Sequence, residues 1–319
     1  MSQESSLNVR LYGTDEEPAA QQTIVTGSLS VVLQSGNLRN IAISGHEAIR
    51  SIAFVVRDKD WGTFKPTIYD LEVDQQSDRF GISYRAECGN DQQTLAYSAV
   101  ISGTADGALE FVVTGGARTD FLTSRTGFVV LHPIDGVAGH DVTVTHTDGS
   151  IEQSLFPERI KPSQPFSDIR ALTHRFAPGL SVTCTTEGDA FEMEDQRNWS
   201  DASYKTYCRP LVFPFTYRIE TGASETQTIT MTFSGGRGGS GATAEGTELS
   251  LCVHGGAAPG IGLAVEQDWI GSPEAALLAA QCGFNHLVAR IDPGSSPAYL
   301  QSVAELAAAQ GVGLDIEIV

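Results

Sequence analysis

Charged, amide and aromatic side chains are concentrated in one stretch of this sequence, residues 191–210, which reads FEMEDQRNWSDASYKTYCRP. Carboxylates and amides can form hydrogen bonds with hydroxyl groups, and an indole ring can stack on the C–H face of a sugar. These residue types therefore indicate a site for a sugar-like polyol. A network of buried salt bridges that orders a long loop would have the same composition, so a purely structural interpretation stays open.

Two groups of candidate residues follow from this stretch. The first could activate water as a general base or stabilise an oxyanion on a carbonyl group: Glu192, Glu194, Asp195 and Arg197. The second could bind a polyol substrate, with Lys205 as a further oxyanion donor: Asn198, Trp199, Asp201 and Lys205. If residues 189–194 form a strand, Glu192 and Glu194 share one of its faces and Phe191 and Met193 take the other.

A second group of polar residues lies at 131–149 and includes His132, Asp135, His140 and His146. Histidine has an ordinary pKa near working pH and can act as a general base. His132 and Asp135 stand where a predicted strand meets a turn, so we take His132 as a candidate catalytic residue and Asp135 as a substrate contact. His140 and His146 flank a strand, which favours surface positions. All four could equally be structural, and their spacing matches no metal-binding motif, so we expect no metal or other cofactor.

A charged turn follows the apolar strand that ends near Arg57, in the sequence VVRDKDWGTFKP. Its charged residues and Trp61 could form the rim of the same site. They could also be an ordinary turn at the end of a strand.

The elements that must position these residues are mostly β-strands. Beyond an N-terminal tail, residues 1–22, the range 23–233 contains short runs rich in Val, Ile, Thr, Phe and Tyr, many of which alternate apolar with polar. Examples are the runs at 23–33, 80–87 and 94–102. Asp-Gly pairs at 106–107 and 148–149 separate such runs, and this dipeptide is a strong hairpin signal. The pattern predicts a mainly β fold whose first domain, residues 23–233, is a large antiparallel β-sandwich.

The pattern changes after a Gly/Ser-rich linker at 234–247. Residues 248–319 read as strand, helix, strand, helix, strand, and both helices begin with a Ser-Pro pair and end at a glycine. This order indicates a parallel sheet and predicts the first βα units of a (β/α) barrel of the TIM type, with three parallel strands and two helices. Active sites of such barrels lie at the carboxyl ends of the strands, which adds Glu266 and Arg290 as substrate-binding candidates.

The predicted barrel is incomplete, because a full one needs about 250 residues and only about 70 follow the linker. We therefore expect a truncated form of a longer protein, in which the missing C-terminal half of the barrel packs on residues 248–319. The alternative is a small three-stranded appendage on the sandwich.

Composition excludes several classes of partner. The 319 residues include 39 acidic and 20 basic side chains, a formal net charge of −19, which argues against binding to nucleic acid or to an anionic membrane surface. No apolar run approaches the length of a membrane span, and the polar N-terminus shows no secretory signal. Five scattered cysteines without a CxxC pair favour reduced thiols and a cytoplasmic protein.

Three runs in the sequence carry a resemblance to a known family: LHPIDGVAGHDVTVTHTDGS at 131–150, QPFSDIRALTH at 164–174 and FEMEDQRNWSDASYKTYCRPL at 191–211. They resemble the D-apionate lactonase family, and the most specific part is EDQRNW at 194–199. The resemblance covers most of residues 50–319. It implies a role in bacterial catabolism of the branched sugar apiose, with hydrolysis of D-apionolactone to D-apionate. It also implies a chain about twice this length, with a β-domain followed by a barrel-like region.

The combined prediction is a carboxylic-ester hydrolase that acts on a small-molecule sugar lactone and is present here in truncated form. Whether this part alone is active depends on whether the active site needs the rest of the barrel. One alternative is a glycoside hydrolase with a β-sandwich accessory domain. Another is a non-catalytic β-module that binds carbohydrate or packs against another domain.

Overall fold

The computed structural model describes residues 7–235, 260–265 and 272–318. The chain divides into two units, Met1–Thr247 and Glu248–Val319. Most of the predicted linker and the candidate residue Glu266 lie outside the described residues. No helix in the described ranges has the length and apolar character needed to cross a bilayer.

The first unit is built from two large sheets in which every strand pair is antiparallel. The seven-stranded sheet has, in spatial order, β1 (Gln21–Thr26), β2 (Leu29–Gln34), β3 (Asn37–Ile43), β4 (His46–Val56), β10 (Thr126–Pro133), β16 (Ser203–Tyr207) and β15 (Glu192–Asp195). The nine-stranded sheet has β12 (Ile151–Leu155), β11 (Asp141–His146), β13 (Ile169–Ala177), β14 (Leu180–Glu187), β18 (Ser224–Gly235), β8 (Leu109–Ala117), β7 (Thr94–Thr104), β6 (Arg79–Gly89) and β5 (Thr67–Gln75).

Smaller elements complete this unit. They are the helix α1 (Leu7–Tyr12), the short pair β9 (Phe121–Thr123) and β17 (Tyr217–Ile219), and one 3-10 turn, η1 (Gln196–Trp199). The turn η1 lies within the dense polar stretch at 191–210.

The inward faces of the two sheets form one hydrophobic core. Along β7, buried Leu95, Ala99 and Ile101 alternate with more exposed residues, as expected of a strand with one face on a core. Phe111 of the nine-stranded sheet packs edge-on against Phe128 of the seven-stranded sheet, with ring centroids 5.0 Å apart. The mainly β fold with large antiparallel sheets, predicted from the alternating runs, is therefore confirmed.

Four neighbouring strands of the seven-stranded sheet bring distant parts of the sequence to the same sheet end. The register aligns Val129 with Tyr207 and Tyr207 with Glu192. Residues 57–63 after β4, 124–125 before β10, 208–217 after β16 and 189–191 before β15 therefore meet at one end of these strands. The opposite end carries the Asp195 end of β15 and the turn η1.

The second unit is a parallel sheet of three strands with two helices: β19 (Gly262–Val265), α2 (Pro273–Gln281), β20 (His286–Ile291), α3 (Pro297–Gln310) and β21 (Gly313–Ile318). Ser296 caps α3 by accepting a hydrogen bond from the Ala298 N–H at 3.1 Å, and Gly311 ends it with a φ of +68°. The order and direction of these elements agree with the sequence pattern. Their extension into a barrel remains a prediction.

Among the described residues, Cys88, Cys184 and Cys208 are buried and carry free thiols. Cys252 lies outside the described residues.

Candidate functional site

Asp195 and Arg197 form an ion pair at the end of β15. The Asp195 side chain has no exposed surface, and its Oδ1 and Oδ2 accept hydrogen bonds from Arg197 Nε at 2.9 Å and Arg197 Nη2 at 2.8 Å. Oδ1 also accepts from the Arg197 N–H at the start of η1, at 3.2 Å, and Oδ2 from the Lys161 N–H at 3.0 Å. Burial raises the pKa of Asp195, but the hydrogen bonds from Arg197 and Lys161 outweigh it, and the net pKa lies below the usual value.

The same group of residues holds a distant segment of backbone, 157–161. Arg197 donates to Pro157 O at 2.8 Å and Glu158 O at 2.9 Å, and Asn198 Nδ2 donates to Lys161 O at 2.7 Å. We call Asp195, Arg197, Asn198 and the segment 157–161 the Asp195 clamp. Asp195, Arg197 and Asn198, three of the predicted site residues, therefore form hydrogen bonds with the chain's own backbone.

A second set of polar side chains lies on the outer face of the same sheet. Because Glu194 pairs with Lys205 and Glu192 with Tyr207 across β15 and β16, these four residues share a face. Phe191 and Met193 are fully buried on the inward side, as the alternation in the sequence predicts. We call the set Trp199, Glu194, Lys205, Tyr207 and Glu192 the outer-face row.

Hydrogen bonds and charges connect the outer-face row from end to end. Trp199 Nε1 donates to Glu194 Oε1 at 2.7 Å, and Lys205 Nζ lies 2.7 Å from Glu194 Oε2 and 5.0 Å from the centre of the Tyr207 ring. The Tyr207 hydroxyl donates to Glu192, whose Oε1 also accepts from the Leu211 N–H at 2.7 Å. Burial and the hydrogen bond to Glu192 raise the pKa of Tyr207, so its hydroxyl stays protonated and acts as a donor.

The outer-face row combines groups that acyl hydrolysis needs. A carboxylate can take a proton from water, and an ammonium group can stabilise an oxyanion. Trp199 is 73% exposed, and its indole ring is the most accessible aromatic surface in the row. Glu192, Glu194, Trp199 and Lys205 are the predicted site residues that the structure brings together in this row.

The remaining candidates lie elsewhere. His132 is fully buried between the two sheets and is hydrogen-bonded to His174 and Thr206, while Asp135 is exposed in the turn after β10. Asp201 accepts a hydrogen bond from Ser203 Oγ at 2.9 Å. Arg290, in the second unit, pairs with Glu317 at an exposed position, with 3.1 Å between Nε and Oε2.

Sequence reasoning missed one charged group next to the outer-face row. Arg125 lies just before β10 and is 4% exposed, with its guanidinium 5.4 Å from the Trp61 ring centre and 5.1 Å from that of Phe215. A single arginine ahead of an apolar strand has no distinguishing pattern. Its burial depends on the loop at 210–217, which the sequence does not connect with it.

A surface depression of about 440 Å³ lies on the nine-stranded sheet. Its charged lining residues are paired with one another, Arg85 with Asp70 and Arg118 with Glu87. No unmatched charge in this depression points to a ligand among the residues described.

Comparisons with known proteins give a consistent result at the level of sequence. A family model described as "D-apionate lactonase, N-terminal domain" matches residues 9–236. A curated protein of Brucella anthropi named D-apionate lactonase is 40% identical over 315 residues, which cover 97% of this chain and 52% of that protein. The chain thus spans about half the length of this relative.

Similar solved structures are more distant. A galactose 1-epimerase from Lactobacillus acidophilus has a TM-score of 0.45 and 8% identity, over 70% of this chain and 96% of that one. A β-arabinopyranosidase has a TM-score of 0.44 and 14% identity, over 92% of this chain and 55% of that one. Similarities of this size carry no information about the chemistry of the chain.

Proposed function

This chain belongs to the D-apionate lactonase family, and on that premise we propose that it takes part in hydrolysing D-apionolactone to D-apionate in apiose catabolism. The observation that carries the proposal is the 40% identity to a named D-apionate lactonase over nearly the whole chain. Such hydrolysis opens the ring ester of a sugar lactone and leaves a carboxylate and a hydroxyl group. The outer-face row supplies a carboxylate that could activate water and an ammonium group that could stabilise the oxyanion.

We propose that Glu194 acts as the general base. It would take a proton from the water that attacks the lactone carbonyl carbon, and Lys205, 2.7 Å away, would stabilise the oxyanion that forms. Trp199, bonded to the same carboxylate and largely exposed, would stack on the sugar ring. Glu192 would act indirectly, by fixing the Tyr207 ring over which Lys205 lies.

We propose structural roles for the other predicted catalytic residues. Asp195 and Arg197 satisfy each other and the segment 157–161, so the clamp sets the path of the chain beside the outer-face row. His132 lies in the interior, away from any water that a lactone site would use. Asn198 belongs to the clamp and would contact substrate only through its exposed edge.

The test is a lactonase assay on this chain and on the Brucella anthropi relative side by side. Ring opening releases one proton per turnover, which titration at constant pH measures after subtraction of spontaneous hydrolysis. We expect Glu194→Gln to lower kcat by about 10²–10⁴ and Lys205→Met by about 10²–10³, in whichever protein is active and at the aligned positions. Glu110→Gln, at an exposed position on β8 of the nine-stranded sheet, is the matched control and should keep wild-type turnover.

The possible outcomes test the site, the outer-face row and the substrate separately. Turnover by both proteins means that this chain contains a sufficient site, whereas turnover by the relative alone means that the half it does not share supplies essential groups. Wild-type kcat in folded Glu194→Gln and Lys205→Met variants would remove the outer-face row from the mechanism. Lack of turnover in both proteins would count against the lactone as substrate.

We also propose that further βα units pack on residues 248–319 and extend the parallel sheet. Parallel sheets are normally covered on both faces, and Ile316 and Ile318 of β21 are exposed here. The Brucella anthropi relative has enough additional chain to supply such units.

A further inference from the structure

Arg125 is a buried cation whose hydrogen bonds go only to backbone. Its Nη1 donates to Ser124 O at 2.6 Å and its Nη2 to Pro210 O at 3.2 Å. Its Nε is buried and has no hydrogen-bond partner among the described residues. Burial lowers the pKa of Arg125, and no described carboxylate forms an ion pair with it. A guanidinium group has five N–H donors, so a buried arginine with so few partners has unused capacity for an anion.

One carboxylate that acts on this cation, that of Glu192, is already hydrogen-bonded. Glu192 attracts Arg125, but its Oε1 accepts from the Tyr207 hydroxyl and the Leu211 N–H. Glu192 therefore moderates the positive charge of Arg125 without pairing with it directly.

Two half-exposed aromatic rings flank Arg125. The Trp61 and Phe215 ring centres are 5.5 Å apart, and both rings lie within 5.4 Å of the guanidinium. Arg57 Nη1 holds the turn by donating to Trp61 O at 2.8 Å, and Thr216 Oγ1 donates to Lys59 O at 3.2 Å. The rings therefore form a fixed apolar wall that is open to solvent on one side.

A second arginine at the same sheet end, Arg209, also lies against two aromatic rings, but it has a carboxylate partner. Its Nε is buried, makes no hydrogen bond and forms an ion pair with Asp189 Oδ2 at 3.5 Å. Its guanidinium is 5.1 Å from the Phe213 ring centre and 4.8 Å from that of Tyr217. Arg125 contacts Pro210, the next residue along the chain, so the two cations flank the start of the same loop.

We infer that Arg125 and Arg209, with Trp61 and Phe215, form a binding site for the carboxylate of a sugar acid. A guanidinium fork matches a planar carboxylate through two parallel hydrogen bonds, and aromatic faces suit the C–H face of a polyol. An aldonic acid carries both features. The carboxylate part of the inference stands on the two arginines, and the sugar part rests on the proposed lactonase function, whose product is such an acid. We call these four residues the Arg125 site.

The experiment is isothermal titration calorimetry on the whole chain with D-apionate, D-gluconate, acetate and uncharged D-glucose as probes. We expect the two aldonates to bind, acetate to bind more weakly, and glucose to bind least. Arg125→Gln should weaken aldonate binding about tenfold or more, and Arg209→Gln should weaken it to a smaller extent. Arg118→Gln removes an exposed arginine on the other sheet and should leave binding unchanged.

A further variant covers the case in which Arg125→Gln does not fold. Trp61→Ala removes a half-exposed ring and should leave the fold intact, while weakening aldonate binding more than acetate binding. Aldonate binding that is unchanged in both folded variants would overturn the inference. The inference would also be overturned if the wild-type chain bound none of the carboxylate probes at millimolar concentration.

The two proposals can fail separately. If the chain has no lactonase turnover but binds aldonates through Arg125, the site stands and the proposed reaction does not. If turnover is intact but inhibition by added D-apionate is the same in wild type and Arg125→Gln, the site alone is refuted.

Discussion

His132 and His174 form a hydrogen-bonded pair in the interior, and the neighbouring groups fix both tautomers. Arg175 O can only accept, so His174 Nδ1 carries the proton and donates across 3.2 Å. His174 Nε2 must then accept from His132 Nδ1, at 3.2 Å, and His132 Nε2 accepts from the Thr206 hydroxyl at 2.9 Å. The pair joins strands of the two sheets as neutral imidazoles, and protonation of either ring would disrupt this chain of donors.

We predict that this pair makes the protein less stable in acid. Burial lowers the pKa of His174 to about 4 and that of His132 well below its usual value. The unfolded chain takes up these protons near pH 6.5, so the stability from the pair is complete above that pH and falls as the pH drops towards 4. His174 alone should cost about 2 kcal/mol between pH 7.5 and pH 5.0.

Urea unfolding at those two pH values measures this loss. The His174→Gln variant should show a smaller drop in unfolding free energy between pH 7.5 and 5.0 than wild type. His140→Gln, at an exposed position, is the control and should follow the wild-type curve. An equal drop in wild type and His174→Gln would show that other groups determine the acid sensitivity.

At the scale of elements, the Asp195 clamp ties β15 and η1 to the segment 157–161. We predict that Asp195→Ala costs about 3–5 kcal/mol of unfolding free energy, because it leaves the largely buried Arg197 cation without its partner. Asp201→Ala removes one partly exposed hydrogen bond six residues away and should cost about 1 kcal/mol or less. Urea unfolding at pH 7.5 compares the two, and hydrogen exchange at the Lys161 amide reports the local effect.

The outcome that contradicts this prediction is equal destabilisation by the two substitutions. Slow exchange at Lys161 in Asp195→Ala would have the same meaning, since the Lys161 N–H donates to Asp195. Either result would show that the segment 157–161 is held by contacts other than the clamp.

The strands were predictable wherever one face is buried, because burial of alternate side chains leaves its mark on the sequence. The runs at 80–87 and 94–102 lie within β6 and β7. The edge strand β5, TIYDLEVDQ, has polar residues on both faces and gives no such signal. The run at 23–33 reads as one strand, but it is β1 and β2 joined by a turn at Gly27, whose φ is +53°.

The candidate site was predictable only as a region, because sequence gives residue types but not their partners. Glu194 and Asp195 are adjacent in the same dense stretch, yet their partners differ. Glu194 faces outward and pairs with Lys205, whereas Asp195 accepts a hydrogen bond from the backbone of Lys161, more than thirty residues away. Arg125 has no polar neighbours in sequence apart from hydroxyl groups, and its surroundings come from the loop after β16. Long-range pairing of strands decides both cases, and no local pattern encodes it.

At the scale of the whole molecule, the second unit leaves apolar residues of a sheet exposed. Ile316 is 48% exposed and Ile318 is 80% exposed, and β21 pairs with β20 alone among the strands described. An exposed apolar strand with unpaired backbone groups on one side is a template for pairing with another chain. In the absence of further βα units, a second copy of this chain is the available partner.

We therefore predict that the chain self-associates at high micromolar concentration through β21. The double substitution Ile316→Glu and Ile318→Glu adds two negative charges to a strand that already carries Asp315 and Glu317, so that two copies repel each other, and sedimentation velocity should then show a monomer. Ile151→Glu is the matched control, because Ile151 is similarly exposed on β12, an edge strand of the nine-stranded sheet, and this change should leave association as it is. Dissociation by both substitutions would mean that added negative charge acts on the strongly acidic molecule as a whole, and a monomeric wild type would mean that β21 is not adhesive. Association lost only in the β21 variant would show that the copies associate through this strand.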